Sequence, residues 1–170
     1  LYEKVETNCR PKVFTIPTNG WYKDKIFLST LRMLQFSKGK RPIIIQYSLD
    51  GNKEMHDQIR GKKSHEKVLE SLETLKNLQK IYKSLHFSII TVVTDENRDI
   101  YPQLIDDLLK FETNQININL FRHGTLDHPP LPSETIEKYK EAVERYESFI
   151  KNRKMKRYSF LGAKLMRLKE

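Results

Sequence analysis

Four short runs rich in β-branched and apolar residues recur along the chain, at Lys12–Pro17, Ile43–Ser48, Leu85–Val93 and Gln115–Phe121. A stretch of crossover length separates each run from the next, with helical periodicity in every gap. Antiparallel neighbours can be joined by a two-residue turn, whereas parallel neighbours need a crossover of a dozen residues or more, usually a helix. The alternation therefore predicts an α/β fold: a parallel sheet of about four strands, with right-handed connections and covering helices. The pattern is compatible with a doubly wound sheet and with part of a β/α barrel.

The intervening stretches carry apolar residues at helical spacing. Ile26, Phe27, Leu31 and Leu34 point inward from a helix over about 22–36, and Val68, Leu72, Leu75, Leu78 and Ile81 from one that starts near Ser64. Ser64 is the expected N-cap there, with Lys67 at the capping-box position. Residues 98–110 read as a helix that tolerates Pro102 in its first turn, with Asn97 as its expected cap. A long charged helix is expected from Ser133 to about Lys151, and Tyr2–Glu6 reads as the tail of a helix already under way. Residues 1–151 form the expected domain, and 152–170 a basic helix or connector.

Charge separates these two parts. Residues 151–170 hold eight Lys/Arg against one acidic residue, Glu170, so +7 of the net +9 lies there. The remaining residues carry 23 basic and 21 acidic groups, which leaves the body near neutral. A basic tail without an RNA-binding motif or zinc-finger spacing argues against nucleic acid as the partner. No apolar run approaches the roughly 18 residues of a membrane span, and no export signal is visible. The single cysteine, Cys9, rules out an internal disulfide within the chain and fits a reducing, cytoplasmic setting.

The most chemically suggestive segment is Tyr47–Gly61. Strand alternation puts Ser48 and Asp50 on one face at the carboxyl tip of the second run. Gly51 is expected to turn the chain, and a polar loop then carries His56, Asp57 and Arg60 up to Gly61. A hydroxyl, a carboxylate and a guanidinium gather where α/β folds bind ligands. The competing reading is a solvated turn in which an Asp caps the next element. At the other tips lie Thr18, Asn19 and Gly20, then Thr91 and Val93, then Arg122 and His123. Val93 also suits an ordinary core, and Thr18 and Asn19 a structural turn. His56 is expected to orient its loop, while His65 and His86 look incidental. His123 and His128 lack a third ligand at metal-like spacing. No nucleophile elbow, phosphate loop or zinc-hydrolase helix is present.

Ser48-Leu-Asp-Gly51, His56-Asp57 and Ile59-Arg60-Gly61 together resemble the fourth-strand signature of radical S-adenosylmethionine (SAM) enzymes. The likeness is to the sulfatase- and peptide-maturing branch, which carries a cysteine-rich C-terminal extension. Thr18-Asn19-Gly20 before it and Ile89–Asn97 after it fit in order and spacing, so the resemblance runs from about residue 5 to about 125. It implies a partial (β/α)6 barrel holding strands three to six of six. It further implies a 4Fe–4S cluster, SAM cleaved reductively to a 5′-deoxyadenosyl radical, an electron-donor protein, and a peptide or small-molecule substrate. Ser48 and Asp50 would meet the SAM ribose, and Arg60 the methionyl carboxylate. Thr18 and Asn19 would lie near the methionyl end, Val93 at the adenine edge, and Arg122 and His123 toward the substrate. The chain departs from the family in its cysteines: three thiolates hold such a cluster, and only Cys9 is present. The family's Gly-Gly-Glu segment and cysteine-rich extension are missing too. The expectation is an internal or truncated piece of a radical SAM protein. The alternative is a non-catalytic, degenerate barrel domain that binds a nucleotide-like ligand, or a protein through its basic tail.

Overall fold

In a computed structural model of the chain, which describes residues 1–121 and 131–152, the four expected strands form one sheet. They are β1 (Phe14–Thr18), β2 (Ile43–Ser48), β3 (Leu85–Val93) and β4 (Gln115–Leu120). The sheet is wholly parallel, with spatial order β1-β2-β3-β4, so sequence neighbours are neighbours in space and the order never reverses. The helices are α1 (Tyr2–Cys9), α2 (Lys23–Phe36), α3 (Lys53–Arg60), α4 (Ser64–Ile81), α5 (Tyr101–Leu109) and α6 (Ser133–Asn152).

Register fixes the two faces. Ile43, Ile45 and Tyr47 lie beside Leu85, Phe87 and Ile89, and Ile89 lies beside Ile116. Together with Leu34 of α2, Val68, Leu72, Leu75 and Leu78 of α4, Leu104, Ile105 and Leu108 of α5, and Ala142 of α6, these residues form one buried cluster. The helices thus cover one face, and burial of each such aliphatic side chain is worth about 1.5–3 kcal/mol. Two polar pairs are satisfied inside this layer, Tyr47 Oη with Ser71 Oγ at 2.9 Å and Thr91 Oγ1 with Tyr101 Oη at 2.8 Å. Burial pushes the Tyr47 phenol up to about 12, so it stays protonated.

The opposite face reads differently. Its residues are Thr15 and Pro17; Ile44, Gln46 and Ser48; His86, Ser88, Ile90 and Val92; and Gln115, Asn117 and Asn119. Thr15, Pro17, Gln115 and Asn119 are exposed, and most of the others are half-buried. Sheets buried on both faces have near-continuous apolar strands; here polar side chains alternate with apolar ones, as one open face requires.

Several local expectations are corrected. The polar loop after Gly51 is the helix α3, capped by Asn52, whose Oδ1 accepts from Met55 N at 3.0 Å. Gly51 does not have a positive φ; its lack of a Cβ matters because one would sit 2.8 Å from Met55 Cβ, which lets α3 fold tightly against the chain. Gly20 does need its conformation, with φ +73, and a Cβ there would meet Val68 Cα at 2.8 Å. Ser64 is the first residue of α4 rather than its cap. Capping falls to Asp57 of α3, whose Oδ1 accepts from His65 N at 2.8 Å and whose Oδ2 accepts from Lys63 N at 3.0 Å. Those two backbone donors hold the Asp57 carboxyl well below the usual carboxylate range. Ile81 ends α4 and is exposed rather than inward. A 3-10 turn, Arg98–Ile100, precedes α5. The basic segment expected beyond residue 152 lies outside the described residues.

Candidate functional site

At the carboxyl end of the sheet, the β2–β3 pairing stops at Ser48 and Ile90, three residues before β3 ends at Val93. Leu49 N still donates to Ile90 O at 2.9 Å. The next β3 donor, Val92 N, is taken by the Asp50 carboxylate, Oδ1 accepting at 3.2 Å. Asp50 Oδ2 accepts from Arg60 Nε at 2.6 Å and also from Arg60 Nη2. The Asp50 side chain is 7% exposed and that of Arg60 33%. Backbone groups of Asp50 are used as well. Its N–H donates to His56 Nδ1 at 3.1 Å, and its carbonyl accepts from Asn97 Nδ2 at 3.2 Å. Asn97 also donates to Val92 O at 2.9 Å and accepts from Thr94 N at 2.7 Å. It therefore ties two strand ends together; it makes no side-chain cap bond to the helical turn after it, contrary to expectation.

This arrangement sets the state of His56. Fully buried, with its Nδ1 accepting a backbone proton, it is the Nε2–H tautomer, and that Nε2 has no partner. Burial is the main reason its pKa falls from the ordinary 6.5 to about 4; the nearby Arg60 charge adds to this and Asp50 opposes it. The His65 ring lies edge-on at 6.0 Å, and its buried Nδ1 is unpaired too. His56 orients its segment by holding Asp50.

The expected site residues fall into three groups. Asp50 and Arg60 are joined at the carboxyl edge, and Ser48 sits two residues before Asp50 on the uncovered face without a hydrogen bond to either. Thr18 and Asn19 are spent on the turn after β1, Thr18 Oγ1 accepting from Gly20 N at 3.1 Å and Asn19 Oδ1 from Trp21 N at 3.2 Å. Thr18 belongs to the helix-covered face. Val93 is on that face as well and fully buried in the apolar cluster, so its side chain packs rather than facing Ser48. Arg122 and His123 lie outside the described residues, as does His128.

Sequence reasoning passed over the residues behind Ser48. Gln46, Ser88 and Gln115 occupy one row across three strands, and Ser48, Ile90 and Asn117 the next. Ser88 is 2% exposed, and its Oγ has no partner. The polar interruptions in Ile43–Ser48 and Leu85–Val93 were the available signal. Among the described residues, no three or more His, Cys, Asp or Glu side chains are grouped to hold a metal, and no helix is long and apolar enough to cross a membrane.

No protein-family model matches the chain. No curated protein matches it either.

Proposed function

We propose that the chain is part of a radical SAM enzyme, contributing barrel strands whose uncovered face and carboxyl edge form one side of the SAM and substrate pocket. One observation carries this reading beyond the sequence motif: a parallel sheet wound in unbroken order, covered by helices on one face, with no helix among the described residues on its other, half-polar face. A barrel segment has that organisation, whereas a doubly wound sheet reverses its order and is covered on both faces.

The residues fit SAM in part. Ser48 offers an unengaged hydroxyl to a ribose hydroxyl. Arg60 spends Nε and one Nη2 proton on Asp50, which leaves three N–H groups to meet a carboxylate. A carboxylate has about four acceptor sites; three of Asp50's are taken, so its part is to aim Arg60 and close the β2–β3 ladder. The cluster does not fit: Cys9 is the one thiol of the chain, exposed at the end of α1, and anaerobic reconstitution of these residues is expected to yield no stoichiometric 4Fe–4S cluster.

S-adenosylhomocysteine, titrated into the labelled chain and followed by backbone amide shifts, tests the reading. Saturable shifts clustered at Ser48, Arg60 and the end of β3, weakened about fivefold by Ser48→Ala, as for one ordinary hydrogen bond, are expected. Shifts elsewhere, or none, would remove the SAM assignment.

A further inference from the structure

The open face carries hydrogen-bonding capacity that the fold does not use. The row Gln46, Ser88 and Gln115 and the adjoining Ser48 and Asn117 contain hydroxyls and carboxamides but no carboxylate, ammonium or guanidinium. Gln115 Nε2 donates to Asn117 Oδ1 at 2.7 Å, which orients the Asn117 amide protons. The side chains of Gln46 and Ser48 have no hydrogen-bond partner among the described residues. Ser88 adds an independent observation: a hydroxyl buried to 2%, lying between two carboxamides, with no partner for its Oγ. Nearly all buried polar groups in folded proteins are paired, so an orphan hydroxyl on the uncovered face is a position that a ligand or a water would complete.

Charge narrows the ligand. His86, one row toward the amino end, is half-buried, and burial lowers its pKa, so it is neutral at pH 7. Among the described residues at the rim, Arg60 is already matched by Asp50. An anion placed over Gln46 and Ser88 would lose its hydration with no charge to meet it. A carboxamide, in contrast, presents a donor pair and an acceptor to groups that offer both. Two strand spacings, about 10 Å, separate Gln46 from Gln115, which suits a small molecule rather than a length of extended peptide.

We propose that the open sheet face binds a small, uncharged, carboxamide-bearing molecule, its amide group held by Gln46, Ser88 and Asn117. The preceding reading is needed only to call this molecule the substrate. The test is an amide-shift titration of the full 170-residue chain with pentanamide and with pentanoate, which share a chain length and differ in charge. Pentanamide gives saturable shifts at Gln46, Ser88 and Asn117, pentanoate binds at least about tenfold more weakly, and Ser88→Ala weakens the amide about fivefold. Equal response to both compounds, no saturation on this face, or indifference to Ser88→Ala would overturn the proposal. So would acetyl-Gly-Gln-Gly-amide binding more than about tenfold tighter than pentanamide, a gain that requires contacts along an extended chain. The S-adenosylhomocysteine titration keeps the two readings apart. A rim response without an amide response sinks this inference alone, and the reverse sinks the SAM assignment alone.

Discussion

The corner where β2 passes into α3 and the uncovered face behind it are built from similar residue types and finished in opposite ways. At the corner, Asp50 bonds through its N–H, its carbonyl and both carboxylate oxygens, and Asn97 satisfies three backbone groups. On the face, Gln46, Ser48 and Ser88 leave theirs unused. Polar groups that are spent hold a fold in place, and polar groups that are idle await a partner. The comparison separates residues that merely resemble a site from those able to act as one: Asp50, the most conspicuous carboxylate in the sequence, belongs mainly to the first kind.

If that division is right, substitutions at the corner cost stability and those on the face do not. Asp50→Ala leaves Arg60 and Val92 N without an acceptor and should lower unfolding free energy by about 2–4 kcal/mol in urea titration. A loss under about 1 kcal/mol would mean that the corner is not the clamp described. Asn97→Ala strands Asp50 O, Val92 O and Thr94 N, and about 1–3 kcal/mol should go with it.

Acid probes the same corner. The folded His56 pKa, about 4, lies below its unfolded 6.5, so the unfolded chain binds more protons between those values. Stability is therefore full above pH 6.5 and declines as pH falls toward 4. His65 and His86 are depressed too and act in the same direction. His56→Asn keeps an acceptor for Asp50 N but cannot titrate, so its stability should depend less steeply on pH across that window. An unchanged slope would move the effect to the other two histidines. The smallest effect belongs to the face: Ser88→Ala removes an unpaired hydroxyl and should leave stability within about 0.5 kcal/mol of the parent or slightly raise it.

These contrasts also explain what could be read in the sequence. The four strands, α2 and α4 were legible because their apolar spacing is dictated by a single shared core. The segment after Gly51 was not: eight mostly polar residues give little apolar pattern, and α3 is held by Asn52 and its packing on Gly51 instead. The cap of α4 was equally hidden, since it comes from Asp57 on another helix rather than from Ser64. Ser48, Asp50 and Arg60 could be placed at one edge from strand period and glycine position. That Asp50 is consumed internally depends on Val92 and Asn97, more than 40 residues away, a distance over which local pattern is silent. Gln46 and Ser88 were hidden in apolar strands until register put them in one row.

The central claim, that this sheet is a wall of a radical SAM pocket, is tested most directly by extending the reading frame upstream. Two further β/α units and a Cys-x3-Cys-x2-Cys loop should appear within roughly 100 residues. Expressed and reconstituted without oxygen, the longer protein should hold a stoichiometric 4Fe–4S cluster and release 5′-deoxyadenosine from SAM when reduced. An extended frame without those cysteines, or a protein that takes up no cluster and leaves SAM intact, would contradict the account.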